Sequence, residues 1–317
     1  MSRKVIFDTD PGIDDAMALL FLHHHRDIDL IGITTVFGNA SIEVVTRNAL
    51  HLKSLWDIVA PVAKGTVRGL NADRHEHVPP AIVHGDNGLG NIAIPDTVPG
   101  NLDPRPAHRF IIETVRANPH EVTIVAVGRM TNLALALAED PQLADLVKEV
   151  VIMGGAVDTK GNVTPVAEAN IFGDPEAADI VMTARWKVVM IGLDVTSRTI
   201  MSRAALARLG AEGGERAQLL VDISQHYVAF YESIGSDMMV HDSCACAYVV
   251  APQLFTTRPG PIRVVVGGIA DGQTIQSPDG PRRKAAPWVD QPSQLAAIDS
   301  QSEAVLRLIH DTITRKP

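Results

Sequence analysis

Short β-branched apolar runs alternate with longer amphipathic stretches over the first two thirds of the chain: 5–7 then 16–22, 30–36 then 44–55, 122–127 then 133–137, 150–153 then 177–182, and 188–193. Runs too short for helices, separated by stretches of helical period, predict βαβ units around a mostly parallel sheet flanked by helices, a Rossmann-like α/β fold. In such sheets ligands sit at loops leaving the carboxyl ends of the strands, so the residues just after each run are the first place to look for chemistry. From 65 to 106 the periodicity fails and Gly, Pro, Asn and His dominate. That span exceeds an ordinary connection and reads as a functional loop system with a short hairpin. After Thr199 a helical region is predicted to Tyr231, then a helix over 242–250, then strands at 262–266 and 274–275 around a Gly267-Gly268 and Asp271-Gly272 turn pattern. No internal repeat or linker is visible, so one domain over 1–317 with a smaller C-terminal lobe is expected.

Charge narrows the partners. With 28 Lys+Arg against 37 Asp+Glu the net charge is −9, which repels phosphate backbones and anionic lipid and argues against nucleic acid or a membrane surface as partner. An apolar fraction of 46% with 21% charged residues excludes a disordered or disulfide-framework chain. Cys244 and Cys246 are too close for a structural disulfide and too few for a zinc site, so they read as buried, reduced thiols. The apolar stretch after the basic start ends at Asp8, too short for a signal sequence, and no run reaches the ~18 apolar residues of a membrane span. A cytoplasmic location is expected.

The densest chemistry is Asp8-Thr9-Asp10-Pro11-Gly12-Ile13-Asp14-Asp15, four carboxylates directly after the first strand. Crowding like charges costs free energy unless a cation sits among them. Asp8 and Asp10 share one side of an extended chain, Pro11-Gly12 turns it, and Asp14 and Asp15 fall in the first turn of a helix, where the dipole favours negative charge. Hard oxygen donors without neighbouring Cys or His select Ca²⁺ or Mg²⁺ over Zn²⁺. A helix cap beside a solvated acidic turn is the plainer alternative. Likewise, His241-Asp242, ahead of the apolar run 244–250, reads on its own as a helix start, and a metal ligand can also start a helix.

This acidic run resembles the opening of the nucleoside hydrolases of the inosine–uridine type, and the resemblance extends over nearly the whole chain. It includes Phe37-Gly38-Asn39, His84-Gly85-Asp86-Asn87-Gly88-Leu89-Gly90, Gly128-Arg129-Met130-Thr131-Asn132, Met153-Gly154-Gly155, residues 162–170, Asp174-Pro175-Glu176-Ala177 and His241-Asp242. It implies Ca²⁺-dependent hydrolysis of the N-glycosidic bond of ribonucleosides to free base and ribose. The ion would be held by Asp10, Asp15, Asp242 and the carbonyl of Thr131, with Asp10 as general base toward a metal-bound water. Asp14, Asn39, Asn162, Glu168 and Asn170 would bind ribose hydroxyls, Met153 would pack on the sugar, and His84 would line the base pocket. His241 would serve the leaving group, since histidine titrates near neutrality. Asp8 would support the cluster from behind. Relatives form homodimers or homotetramers.

Several positions depart from the family pattern. The long loop carries no tryptophan, and Trp56, Trp186 and Trp288 fall outside the matched motifs, so base stacking is left to Phe172, Tyr227, Phe230 or Tyr231. Ala169 is smaller than the aromatic common there, and Arg129 stands where proline is common. Asp271-Gly272-Gln273-Thr274 resembles the family's Arg-Gly-x-Thr hairpin without its arginine and is read as structural. Two other classes remain in view. A phosphatase of the haloacid dehalogenase type would make Asp8 a nucleophile and Asp10 an acid/base, which Pro11-Gly12-Ile13-Asp14-Asp15 fits poorly. A nucleoside or sugar binder without turnover would have no need of Asp10 as a base.

Overall fold

The computed structural model describes residues 2–71, 78–95, 97–280 and 285–315. The alternating runs form β1 (Arg3–Thr9), α1 (Ile13–His24), β2 (Ile28–Thr35), α2 (Ile42–Leu55) and β3 (Val62–Ala63). Among the described residues of the long loop the one helix is α3 (Ala81–His84) and there is no hairpin: Gly85, Gly88, Gly90 and Asn91 all take positive φ and coil the chain back on itself instead. Next come α4 (Ala107–Ala117), β4 (Val122–Ala126), α5 (Thr131–Glu139), α6 (Leu143–Leu146), β5 (Glu149–Met153), α7 (Ala169–Gly173), α8 (Pro175–Thr183), β6 (Val188–Ile191) and α9 (Leu193–Thr196). The C-terminal third contributes β7 (Ile200–Met201), α10 (Arg203–Ser233), β8 (Met238–Met239), α11 (Asp242–Val250), β9 (Phe255–Gly260), β10 (Ile262–Val264), β11 (Thr274–Gln276), β12 (Gln294–Ser300) and α12 (Ser302–Ile313). Within α10 the helix breaks at Gly214, whose φ of 72° no helical residue adopts.

Eight strands make the main sheet in the order β3-β2-β1-β4-β5-β6-β12-β9, parallel throughout except that β9 runs antiparallel to β12. The central strands are buried on both faces, so alternate residues feed two cores. Val5, Phe7, Val125, Val151 and Val189 pack with α1, α10, α11 and α12; Ile6, Ile124, Val150, Ile152 and Val188 pack with α4, α5 and α8. What stands apart as a small C-terminal lobe is the β10–β11 hairpin. It is tied to the sheet by Thr274, whose hydroxyl accepts from the Ala156 amide at 2.7 Å and donates to the Ala156 carbonyl at 2.9 Å. The hairpin thus braces the loop that follows β5.

The late strand β12 pairs with β6 and β9, and one buried side chain ties its start to the segment before β6. Gln294 is buried, donates to the carbonyls of Met182, Ala184 and Trp186, and accepts from the Val188 amide at 2.7 Å. Replacing it by leucine leaves those buried backbone groups without partners. Gln294→Leu is expected to destabilise the fold by about 2–4 kcal/mol, read from denaturant unfolding; a change under about 0.5 kcal/mol would contradict this account.

Candidate active site

All the acidic residues of the first loop are placed by its own turn. Proline and glycine at 11 and 12 stop β1, and α1 begins one residue later with Asp14 and Asp15 in its first turn. Asp15 closes that helix start: Oδ2 accepts from the Gly12 amide at 2.9 Å and from Asn39 Nδ2 at 2.9 Å, while Oδ1 accepts from Thr9 Oγ1 at 2.5 Å and the Asp10 amide at 3.3 Å. Asp8 points into the sheet and accepts from Thr34 Oγ1 at 2.5 Å and Asn132 Nδ2 at 2.8 Å. It is fully buried, which leaves a phosphatase no nucleophile at this position. The Oδ2 of Asp10 accepts from the Asn39 amide at 2.8 Å and from Arg129 Nη1 at 2.7 Å; its Oδ1 is buried without a partner.

From the far end of the chain, Asp242 joins the cluster as the first residue of α11. Ligand oxygens of Asp14, Asp15 and Asp242 lie within 4.8 Å of one another, all three residues buried. Buried carboxylates so close together, with an unpartnered Asp10 Oδ1 on the same loop, suit a hard divalent cation. Thr131, expected to lend its carbonyl, begins α5, and its hydroxyl donates to Asp174 Oδ2 at 2.6 Å. Asp174 also accepts from the amides of Leu70 and Ala177, which ties the long loop and α8 to this corner.

Without a cation these charges are costly. Burial is the largest cause, and it raises Asp8 to about 7 and Asp14 to about 8, with repulsion from Asp15 adding to the second. Asp10, Asp15 and Asp242 move in the same direction, mainly by burial. Repulsion from neighbouring carboxylates adds to the rise at Asp10 and Asp242.

A cavity of about 390 Å³ opens above the cluster, within the range of small-molecule sites. Asp14, Asp242, Asn39, His84, Met153, Asn162, Glu168, Asn170 and His241 all line it; Asp10, Asp15 and Thr131 do not. Not all of these side chains are free to meet a ligand with every atom. Glu168 caps α7, its carboxylate accepting from the amides of Gly155, Asn170 and Ile171. Asn170 donates to the carbonyls of Val127 and Met153, which fixes its amide nitrogen away and leaves the oxygen for a hydroxyl. His84 accepts from the Ile13 amide at Nδ1, so its proton sits on Nε2, and its ring stacks on Tyr227 at 5.5 Å.

His241 differs from expectation in its charge. Burial lowers it to about 4, so it is neutral at pH 7 rather than poised near neutrality. It lies within a chain of side chains that the sequence pattern did not disclose: Nδ1 is 2.8 Å from Thr196 Oγ1, Nε2 is 2.9 Å from Tyr231 Oη, and Tyr231 reaches Tyr227 Oη at 3.3 Å. Tyr227, Phe230 and Tyr231 form the apolar wall together with Val83 and Ile234, whereas Phe172 is not on it. Trp56 and Trp186 are core residues. Spacing of three to four residues on α10 could have flagged the aromatic face, but nothing in the sequence pairs it with His241.

The profile of the inosine–uridine preferring nucleoside hydrolases matches residues 5–306. The chain belongs to that family. It is 39% identical to a probable uridine nucleosidase of Arabidopsis thaliana over 98% of this chain and 97% of the other. It is 40% identical to an inosine–uridine preferring nucleoside hydrolase of Leishmania major over 90% of each. Among solved structures, the plant nucleoside hydrolase PpNRh1 superposes with a TM-score of 0.94 at 35% identity, covering 100% of both chains. The chain is therefore a nucleoside hydrolase, an enzyme that breaks the N-glycosidic bond of ribonucleosides; the cavity is its candidate active site, and the acidic cluster is a group that could hold a metal ion. Among the described residues no helix is long and apolar enough to cross a membrane.

The cluster makes the metal-free hydrolase sensitive to pH. Asp8 and Asp14 hold protons in the folded state up to about 7 and 8 but release them near 3.8 when unfolded, so they stabilise the fold at low pH and cease to do so as pH rises through those values. His84 and His241, lowered by burial to about 3 and 4, work in the opposite direction but only below about 6.5. Between pH 6.5 and 8 the carboxylates act alone. Chelator-treated protein is expected to lose melting temperature across that window, and a saturating divalent cation to flatten the slope; equal slopes with and without the ion would refute the assignment.

Proposed function

We propose that the enzyme is a Ca²⁺-dependent ribonucleoside hydrolase in which Asp10 is the general base and the Tyr231–His241 pair serves the departing base. The observation that carries this reading is the convergence of Asp15 and Asp242, with Asp14, at the base of the cavity, on the same loop as the unpartnered Oδ1 of Asp10. Asp10, Asp15 and Asp242, with the Thr131 carbonyl, would hold the ion, whose size suits a flexible set of carboxylate and carbonyl oxygens. When bound, Ca²⁺ supplies charge that polarises the attacking water and orders the vicinal hydroxyls of ribose.

The chain's own groups supply the rest. Asp10 has its Oδ2 fixed by two donors and its Oδ1 free, so it can take the water's proton at one defined atom. Asp14 and the Asn170 oxygen face the cavity as acceptors for ribose hydroxyls, Asn39 and Asn162 add further polar groups, and Met153 supplies an apolar floor for the sugar. Carboxylates beneath the ribose stabilise the positive charge that develops as the glycosidic bond lengthens. The leaving base lies against His84, Tyr227, Phe230 and Tyr231. A neutral His241 cannot donate as imidazolium, so protonation runs through hydrogen-bonded N–H and O–H groups shared among Thr196, His241 and Tyr231.

The test uses uridine and inosine, with a phosphomonoester as control, assayed with and without chelator. Reducing sugar that vanishes with chelator and returns with Ca²⁺ is expected; phosphate release, or nucleoside retained without turnover, would replace the reading by the phosphatase or the binder. Asp10→Asn should lower kcat by roughly 10²–10⁴-fold, and unchanged rates would remove Asp10 as the base.

A further inference from the structure

Arg129 is buried at the edge of the acidic cluster, and among the described residues it is the one charged donor in contact with it. Its Nη1 lies 2.7 Å from Asp10 Oδ2, and its Cζ sits 5.8 Å from the centre of the Phe37 ring. Room for it is made by two glycines in ordinary backbone conformation. A Cβ on Gly38 would collide with both the Asp10 carboxylate and the guanidinium, and one on Gly173 would collide with Nε of Arg129. The ion pair thus joins the loops after β1 and β4, and the loop after β2 and the last residue of α7 make room for it.

The pairing is one-sided. Oδ2 of Asp10 is saturated by Arg129 and the Asn39 amide, while Oδ1 has no partner. Such an arrangement fixes the carboxylate's rotation and leaves a single oxygen for chemistry. It also puts a permanent positive charge beside a cation site, where it opposes the binding of the ion and offsets repulsion among the carboxylates while the ion is away.

We propose that Arg129 is a positioning residue that clamps Asp10 by one oxygen and holds the acidic cluster together without its metal, at the expense of metal affinity. The inference rests on the metal reading above, and one experiment separates the two. Full-length wild type, Arg129→Gln and Arg129→Lys are stripped with chelator and titrated with Ca²⁺ by calorimetry, and their melting temperatures are taken with and without the ion. Glutamine keeps a donor and loses the charge, so its dissociation constant for Ca²⁺ is expected to fall roughly tenfold or more. Its melting temperature should drop in the stripped state and rise more steeply on Ca²⁺ addition than wild type. Lysine, keeping the charge, should bind Ca²⁺ within about threefold of wild type, a change under 1 kcal/mol in binding. Arg129→Met, of similar stem and without charge, should show the same tightening as glutamine. With uridine, Arg129→Gln should lose kcat while KM stays close to wild type, because Asp10 is no longer held in one rotation. A role in packing alone would lower the melting temperature equally in both states and leave Ca²⁺ affinity unchanged, and that result overturns the proposal. Wild type that takes up no Ca²⁺ overturns the metal reading, and the proposal with it.

Discussion

Asp8, Asp10, Asp15, Asp242 and Glu168 buried together, with Asp14 beside them, are a charge density that a folded chain tolerates only with compensation. The compensation here is distributed. Backbone amides of Gly12, Asn39, Gly155, Asn170 and Ile171 donate to Asp15, Asp10 and Glu168; hydroxyls and amides of Thr9, Thr34, Asn39 and Asn132 do the same for Asp15 and Asp8; and one guanidinium sits on Asp10. Asp242 and Asp14 remain least served, and they face the cavity. The unmet charge is therefore concentrated where an ion and a sugar would enter.

This constraint shapes the fold around it. The floor is assembled at the carboxyl ends of β1, β2, β4 and β5, where helix starts and turns present free amide groups. Loops that would otherwise be mobile are fastened to the floor: the long loop through Asp174 and Leu70, the segment after β5 through Glu168 and Thr274. Strand β12 carries no group of the site, yet its insertion beside β6 completes the sheet that fixes β5 and β6 in register. The sugar end is thereby rigid. The base end is built differently, from apolar and aromatic side chains on α3 and the second half of α10, beyond the break at Gly214.

The two ends also differ in how their protons are governed. At the floor, burial raises the carboxylates, so a cation and a proton compete for the same oxygens. Near the base, burial lowers His84 and His241, so both imidazoles stay neutral and act through the N–H each still carries. One low-dielectric cavity thus favours a base on one side of the glycosidic bond and neutral hydrogen-bond donors on the other.

Much of this was determined locally and was legible as such. The period of the apolar runs located strands β1, β2, β4, β5 and β6, because a strand buried on both faces has to be continuously apolar. The run from Asp8 to Asp15 marked this corner of the fold, because four carboxylates crowded around a Pro-Gly turn favour a cation among them. The family motifs then carried Asn39, Glu168, Asn170 and Asp242 to their places. Tertiary structure alone decided the rest. It paired β12 with β6 and set Gln294 at their junction, coiled the described part of the long loop around its glycines, and set Tyr231 on His241 and Arg129 on Asp10. Those contacts join residues far apart in sequence or on different elements, and neither periodicity nor spacing encodes them. The charge of His241 belongs with them, since a histidine's state depends on how much water the fold leaves beside it.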